Sequence, residues 1–278
     1  MSDSLYRPSR FGGFFLFSVL FLAGSLVYLW ITLPPVSDLK KKNPGETAMM
    51  KYRARQAAKK GGRESKMQMW VRLELISPYL IKTVILAEDD RFYQHGGVDW
   101  EALRQAFRTN MERNTVAFGG STITQQLAKN LFLSPRKNIL RKIREILLAY
   151  KLERKLSKSR ILEIYLNVVE WAPGIYGAEA ASFHYFDKSS RDLTLTESVR
   201  LVSVLPSPRR FKIFEDSKKW MNGKREDWLE RLLKREWISP AEYREASREL
   251  HLSAFSQVEV SSYTCILATV PVSGICGE

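Results

Sequence analysis

The chain of 278 residues is 45% apolar and 27% charged, the make-up of a globular protein long enough to bury a full core in one or two domains. Its 44 Lys and Arg against 30 Asp and Glu give a net charge of +14 and a pI near 9.8, which favours anionic partners such as phosphates, acidic lipid headgroups or nucleic acid without choosing among them. Both cysteines, Cys265 and Cys276, fall in the last 14 residues, which excludes a disulfide framework or zinc cluster in the body of the chain and leaves open whether the two pair.

After an N-terminal segment, 1–10, residues 11–33 run without a charge and are rich in Phe and Leu, long enough as a helix to cross a hydrocarbon core of about 30 Å. Tyr28, Trp30 and Pro34-Pro35 are interface aromatics followed by a helix stop, so the stretch is predicted to be a retained membrane anchor rather than a cleaved signal. Arg7 and Arg10 on one side against Lys40, Lys41 and Lys42 on the other give a weak orientation signal, whose count slightly favours keeping the body of the chain on the cytoplasmic side, although large domains can translocate regardless of such charges. Residues 34–66 are polar and basic and are expected to form a linker, either a solvated tether or a strip along an anionic membrane surface.

The body, 67–250, reads as helix after helix. Ser77 as N-cap and Pro78 at the first turn open a helix in which Leu80, Ile81, Val84 and Ile85 recur at helical spacing, with Glu88 on the same stripe. Glu88, Asp89 and Asp90 then crowd a helix C-terminus, where each acid is unfavourable by a few tenths to about 1 kcal/mol. Either they form a site, or they pair with Arg91 and nearby lysines on a solvated turn. Asp99 caps a helix with Leu103, Ala106 and Phe107 on one face, and residues 110–120 break the periodicity. Ser121 is the expected cap of the next helix, with Ile123, Leu127 and Leu131 on its buried side; the glycine pair before it is either an anion cradle or an ordinary junction. In 138–156 the apolar stripe Ile139, Leu140, Ile143, Ile146, Leu147 and Tyr150 leaves Arg141 and Glu145 pointing away, as a surface ion pair would. Further helices follow through 158–167, around Ala178, from the Thr194/Glu197 capping box, and from Ser239-Pro240. With no strand alternation and no repeat, the expected fold is all-α; the tail, 251–278, has no assignable structure.

There is no H-E-x-x-H, no G-x-S-x-G and no Walker loop, and three histidines are too few for a histidine metal cage. Ser134-x-x-Lys137 and Ser37-x-x-Lys40 lack the companion motifs of acyl-serine enzymes. What remains is a core-leaning Glu88, further carboxylates at Asp89 and Glu145, and an excess of cations, a mixture suited to acid–base work beside an anionic leaving group.

Four ordered motifs carry a resemblance. They are E-D-x-x-F-x-x-H-x-G at Glu88, Asp89, Phe92, His95 and Gly97; G-G-S-T-I-T-Q-Q-x-x-K-N over 119–130; R-K-x-x-E at Arg141, Lys142 and Glu145; and K-x-x-I-L-E-x-Y-L-N over 158–167. In these the chain resembles the peptidoglycan glycosyltransferase family, membrane-anchored enzymes that polymerise lipid II, and with one anchor and no room for a transpeptidase domain it is similar to the monofunctional members. The resemblance implies a lysozyme-like all-α domain over 67–250, anchored by a single pass in the inner membrane with its catalytic side in the periplasm. It implies inverting β-1,4 polymerisation with release of undecaprenyl diphosphate. Glu88 would be the general base, and Glu145 would act at the diphosphate, directly or through a divalent metal (Mg2+ or Mn2+). Lys129, Lys137, Arg141 and Lys142 would stabilise the leaving group, and Asp89, Phe92, His95, Gly119, Gly120, Ser121, Thr122, Gln125, Gln126, Asn130 and Asn167 would bind substrate. The loop 111–120 would gate glycan movement. The implied partners are lipid II, the growing strand, membrane lipid and other cell-wall synthesis proteins, with no nucleic acid. Lys137 stands where the family usually has Arg, and Trp171-Ala172 where Phe-Gly is typical. A lytic glycosidase would not need cations aimed at a diphosphate, and a non-catalytic lipid- or nucleic-acid-binding module would not need Glu88.

Overall fold

The computed structural model describes residues 10–112, 120–135, 138–214 and 219–250. The tail and its two cysteines, the first nine residues and most of the expected gating loop lie outside the described residues. The described fold is mainly α-helical.

Helix α1 (Arg10–Ile31) is long and apolar enough to cross a membrane; most of its span Phe14–Ile31 is exposed, and only its end, at Trp30, packs against the core. The expected linker is folded. Past the chain turn at Pro34, Leu33, Val36 and Leu39 enter the main core, and α2 (Ala48–Lys59), capped by Thr47, buries Met49 and Met50. Arg53 of α2 pairs at 3.0 Å with the buried carboxylate of Glu170, and the Arg160 guanidinium donates to the Leu39 carbonyl at 2.8 Å. The basic residues that suggested a tether are the outer face of this layer: Lys51, Arg55 and Lys59 are exposed.

The core is built from α3 (Pro78–Glu88), α5 (Ile123–Phe132), α7 (Lys158–Val168) and α9 (Leu195–Val202), with α6 (Ile139–Lys155) laid along α5 and α10 (Lys219–Lys234) against α3. Of these α7 is the most enclosed. Ile161, Leu162, Ile164, Tyr165 and Leu166 are fully covered, each such aliphatic side chain contributing about 1.5–3 kcal/mol by leaving water. Between α3 and α5 stands α4 (Trp100–Glu112); after α7 come α8 (Ala178–Phe186) and, past α10, α11 over 240–250, capped by Ser239. Ser77 holds the N-cap position of α3 without capping it; its hydroxyl donates to the Leu193 carbonyl at 2.8 Å and ties the start of α3 to the approach to α9.

Three strands too short to show alternation, β1 (Met67–Gln68), β2 (Glu170–Ala172) and β3 (Ile175–Tyr176), form a small sheet in the order β1-β3-β2, with β1 parallel and β2 antiparallel to β3. Gly177, with φ +87°, follows β3 where a Cβ would stand 2.8 Å from the Asn167 carbonyl oxygen, so only glycine lets the chain turn into α8 against the end of α7.

The inward packing of 34–66 is testable at Met50, which is 2% exposed. Met50→Ala is expected to lower stability by about 2–4 kcal/mol in chemical denaturation of the detergent-solubilised protein. A solvated tether would hold the change within about 0.5 kcal/mol.

Candidate active site

Glu88 is the last residue of α3, and Asp89 leaves the helix in an extended conformation. The three acids that crowd this terminus are separated by their partners. The Asp89 carboxylate turns inward: Oδ2 accepts the Ile123 backbone N–H at 2.9 Å, at the first residue of α5, and Oδ1 lies 2.8 Å from His95 Nε2. Since Gly97 N–H donates to His95 Nδ1 at 3.2 Å, the ring proton sits on Nε2 and is donated to Asp89. Asp90 turns the other way, to Arg231 and Arg235 after α10 begins. Arg91 pairs with Asp99 and Glu101 of the next segment rather than with the acids beside it.

Among the described residues Glu88 has no Lys or Arg in hydrogen-bonding contact. Its Oε2 accepts from Gln126 Nε2 at 2.7 Å, and the carboxylate borders a cleft of about 310 Å³ lined also by Asp90, Glu101, Gln105, Ser121 and Arg231. Burial pushes the Glu88 pKa up from its ordinary value, against the Gln126 bond and the charges of Lys224 and Lys129, with Asp89 adding to the rise.

The second carboxylate is in the core. The buried face of α6 carries Glu145, Leu148, Ala149 and Leu152, while Ile139 and Leu140 of the apolar stripe are exposed. The helix is therefore turned about its axis relative to the sequence expectation, because its strongest packing is the face it lays on α5. Glu145 accepts from Arg141 Nη1 and Lys142 Nζ, both at 2.5 Å, and Lys142 Nζ also reaches Ser121 Oγ at 2.9 Å. Lys129 feels both carboxylates: burial lowers its pKa, while the negative charges of Glu145 and Glu88 oppose that and Arg141 and Lys142 reinforce it. A line of alternating charge thus runs from Glu88 through Lys129 to Glu145 with its two cations.

The donor set at Glu145 does not fit a protein-held divalent ion. Both oxygens are engaged by cations, and among the described residues the cluster with metal-type donors is Asp89, His95 and Asp99, whose groups are bound to Ile123, Gly97, Arg91 and Ala102. Such an ion would also need carboxylates free to replace its waters.

Other predicted site residues serve the scaffold. Thr122, not Ser121, caps α5, in a capping box with Gln125, which leaves the Ser121 hydroxyl for Lys142. Phe92 and Asn167 are fully covered; the Asn167 side chain bonds the backbone of Val71 and Glu163, away from the cleft. Asn130 is buried on α5. Gly120 is required by close packing, since a Cβ there would stand 2.9 Å from Leu103 Cα. Gly119 and Lys137 lie outside the described residues. Two residues at the site escaped the sequence reading, Tyr165 of α7, whose hydroxyl donates to Gln126 Oε1 at 3.2 Å, and Lys224 of α10. Tyr165 stands within a recognised motif; Lys224 comes from a helix with no motif signal.

The family model described as Transglycosylase matches residues 54–233. A biosynthetic peptidoglycan transglycosylase from Janthinobacterium sp. (strain Marseille) is 46% identical over 167 residues, covering 60% of this chain and 72% of the relative. One from Alcanivorax borkumensis is 44% identical over 194 residues, 70% of this chain and 76% of the relative. One from Chromobacterium violaceum is 40% identical over 199 residues, 70% and 87% respectively.

The raised pKa of Glu88 has a stability consequence. The protonated acid is the form the fold prefers, so its contribution is full below the ordinary value of 4.5 and is lost as pH rises through the raised value. Glu88→Gln is expected to raise Tm by a few degrees at pH 7.5, with the gain closing as pH falls below about 4.5. An unchanged or lower Tm at pH 7.5 would show that the carboxylate is not held at a cost.

Proposed function

This chain belongs to the transglycosylase family and is a glycosyltransferase of peptidoglycan synthesis; on that premise we propose that it polymerises lipid II at the Glu88 cleft, with Glu88 as base. Glu88 removes the proton from the acceptor sugar 4-hydroxyl as that oxygen attacks the anomeric carbon of the growing strand. The bond from that carbon to the diphosphate breaks, its electron pair leaves with undecaprenyl diphosphate, and a β-1,4 link forms with inversion. A carboxylate whose pKa is raised by burial is closer to the working pH and is a better base than an exposed one.

The observation that carries this reading is the placement of a buried carboxylate, held by an amide, near Lys129 and the Glu145-bound cations Arg141 and Lys142. Charge developing on the departing diphosphate would be met by these side chains, preorganised by Glu145, without a metal bound to the protein. Ser121, fixed by Lys142, would contact a phosphate oxygen. The apolar α1 supports a single-pass anchor, here assigned to the inner membrane with the cleft on the periplasmic side, where other cell-wall synthesis proteins would meet it.

Labelled lipid II and detergent-solubilised full-length protein test the reading. Wild type is expected to form glycan polymer and release undecaprenyl diphosphate, and Glu88→Gln to form none. Shortening of preformed glycan with lipid II left intact would replace polymerisation by a lytic activity; equal polymerisation by the variant would remove Glu88 as base. Arg141→Ala is expected to lower kcat on the order of 10²–10³-fold, the size of loss seen when one donor to developing negative charge is removed.

A further inference from the structure

We propose that Gln126, held by Tyr165, is the positioning residue for the Glu88 carboxylate: the Tyr165–Gln126–Glu88 chain holds Oε2 and leaves Oε1 to take the acceptor proton. The inference rests on Glu88 being the base. It assigns to Gln126 a task other than sugar binding, and to Tyr165 a part in the site.

The geometry is directional. Gln126 Nε2 donates to Glu88 Oε2 at 2.7 Å, while Gln126 Oε1 accepts the Tyr165 hydroxyl at 3.2 Å. A flipped amide would set its carbonyl oxygen against the carboxylate, so the ionised Glu88 selects this orientation, in which the Tyr165 hydroxyl, able to donate or accept, acts as donor. Tyr165 is fully covered on α7, and burial, with the charges of Glu88 and Asp89, keeps its pKa well above the ordinary tyrosine value, so the hydroxyl remains a donor while Glu88 titrates. Gln126 sits on α5 one turn before Lys129, so one helix presents both the amide that holds the base and a cation for the leaving group. Among the described residues Glu88 Oε1 has no hydrogen-bond partner, which leaves it free for a substrate hydroxyl.

The chain also acts on protonation. A hydrogen bond donated to the carboxylate favours the charged form and offsets part of the upward push of burial. The other groups that bear on Glu88 are Lys129 of α5, Lys224 and Arg231 of α10, Tyr165 of α7, Glu101 of α4, and Asp89 and Asp90 beside it. None of them is altered by shortening the Gln126 side chain to an apolar one.

The test is lipid II polymerisation across pH with the full-length protein and the variants Gln126→Leu, Tyr165→Phe and the double variant. Gln126→Leu is expected to lower kcat by about tenfold or more, leave KM within about twofold, and move the acid limb of the kcat profile to higher pH. Tyr165→Phe keeps the ring and is expected to cause a smaller loss of kcat of the same kind. In the double variant the Tyr165 change should add nothing, because its effect passes through Gln126. A rise in KM with kcat and the acid limb unchanged would overturn the proposal in favour of substrate binding by Gln126. Additive losses in the double variant would overturn the relay from Tyr165. Glu88→Gln is the separate control: if it polymerises like wild type, the base assignment itself fails, whatever the Gln126 variants do. Thermal unfolding of each variant identifies a loss caused by misfolding, and Gln126→Glu, which keeps length but sets an acid against Glu88, is expected to move the acid limb still further up.

Discussion

The bond from the Ile123 amide to the Asp89 carboxylate is the joint on which the site hangs. It joins the C-terminal end of α3 to the N-terminal end of α5, and it relieves two local problems at once. An acid just past a helix C-terminus faces like-signed partial charge, and the first N–H groups of the next helix have no partner of their own. Bringing the two ends together turns both into one hydrogen bond. His95 closes the other side of the carboxylate, and the Thr122 hydroxyl closes the loop by donating to the Gly97 carbonyl at 2.6 Å. With Asp89 held in this way, its neighbour Glu88 has no freedom to turn to a surface cation. It meets Gln126 on the first turns of α5.

From that joint the charges fall into order. Lys129 lies three residues beyond Gln126 on the same helix, and α6, packed along α5, brings Glu145 in under it. A carboxylate as covered as Glu145 requires partners, and Arg141 and Lys142 provide them from within its own helix. Glu145 therefore acts through its neighbours. It holds two cations in fixed places, one of them shared with Ser121, while the nearby Glu88 carboxylate is met by the Gln126 amide rather than by a cation among the described residues. Separation of this kind lets a carboxylate near a strongly basic surface keep a raised pKa.

The end of the apolar helix α1 takes part in the same packing. Lys151, on α6 two turns from Glu145, donates to the Leu33 carbonyl at 3.2 Å and lies over the Trp30 ring. The stretch that follows, through Val36 and Leu39, is in the core. The exit from α1 and the helix that carries Glu145 thus form one packed unit.

Several features followed from residue order alone, because each is a local property of the chain. The uncharged run of α1, the Pro78 start of α3, the Asp99 cap and the Thr194/Glu197 capping box need no knowledge of distant neighbours. Of the motif residues, Glu88, Asp89, Gly120, Ser121 and Thr122 line the cleft. What required tertiary structure was the choice between faces and between partners. Apolar periodicity put the outward stripe of α6 in the core, since a stripe records hydrophobicity but not which neighbour arrives; α5 came to the other face, and Glu145 could be buried because its own cations came with it. Ser121 and Thr122 are equivalent as caps by residue type, and the approach of Asp89 to Ile123 settled the start of α5 one residue later. The basic composition of 34–66 concealed Met49 and Met50, two apolar residues that only a folded body could receive. Tyr165 looked like one more core residue until α5 and α7 met and placed its hydroxyl on Gln126. The chain order thus determined which chemical groups are present and where helices begin; long-range packing decided which carboxylate is left facing the cleft with an amide partner and which is locked to its cations, because burial and partner distance exist only once helices far apart in sequence have come together.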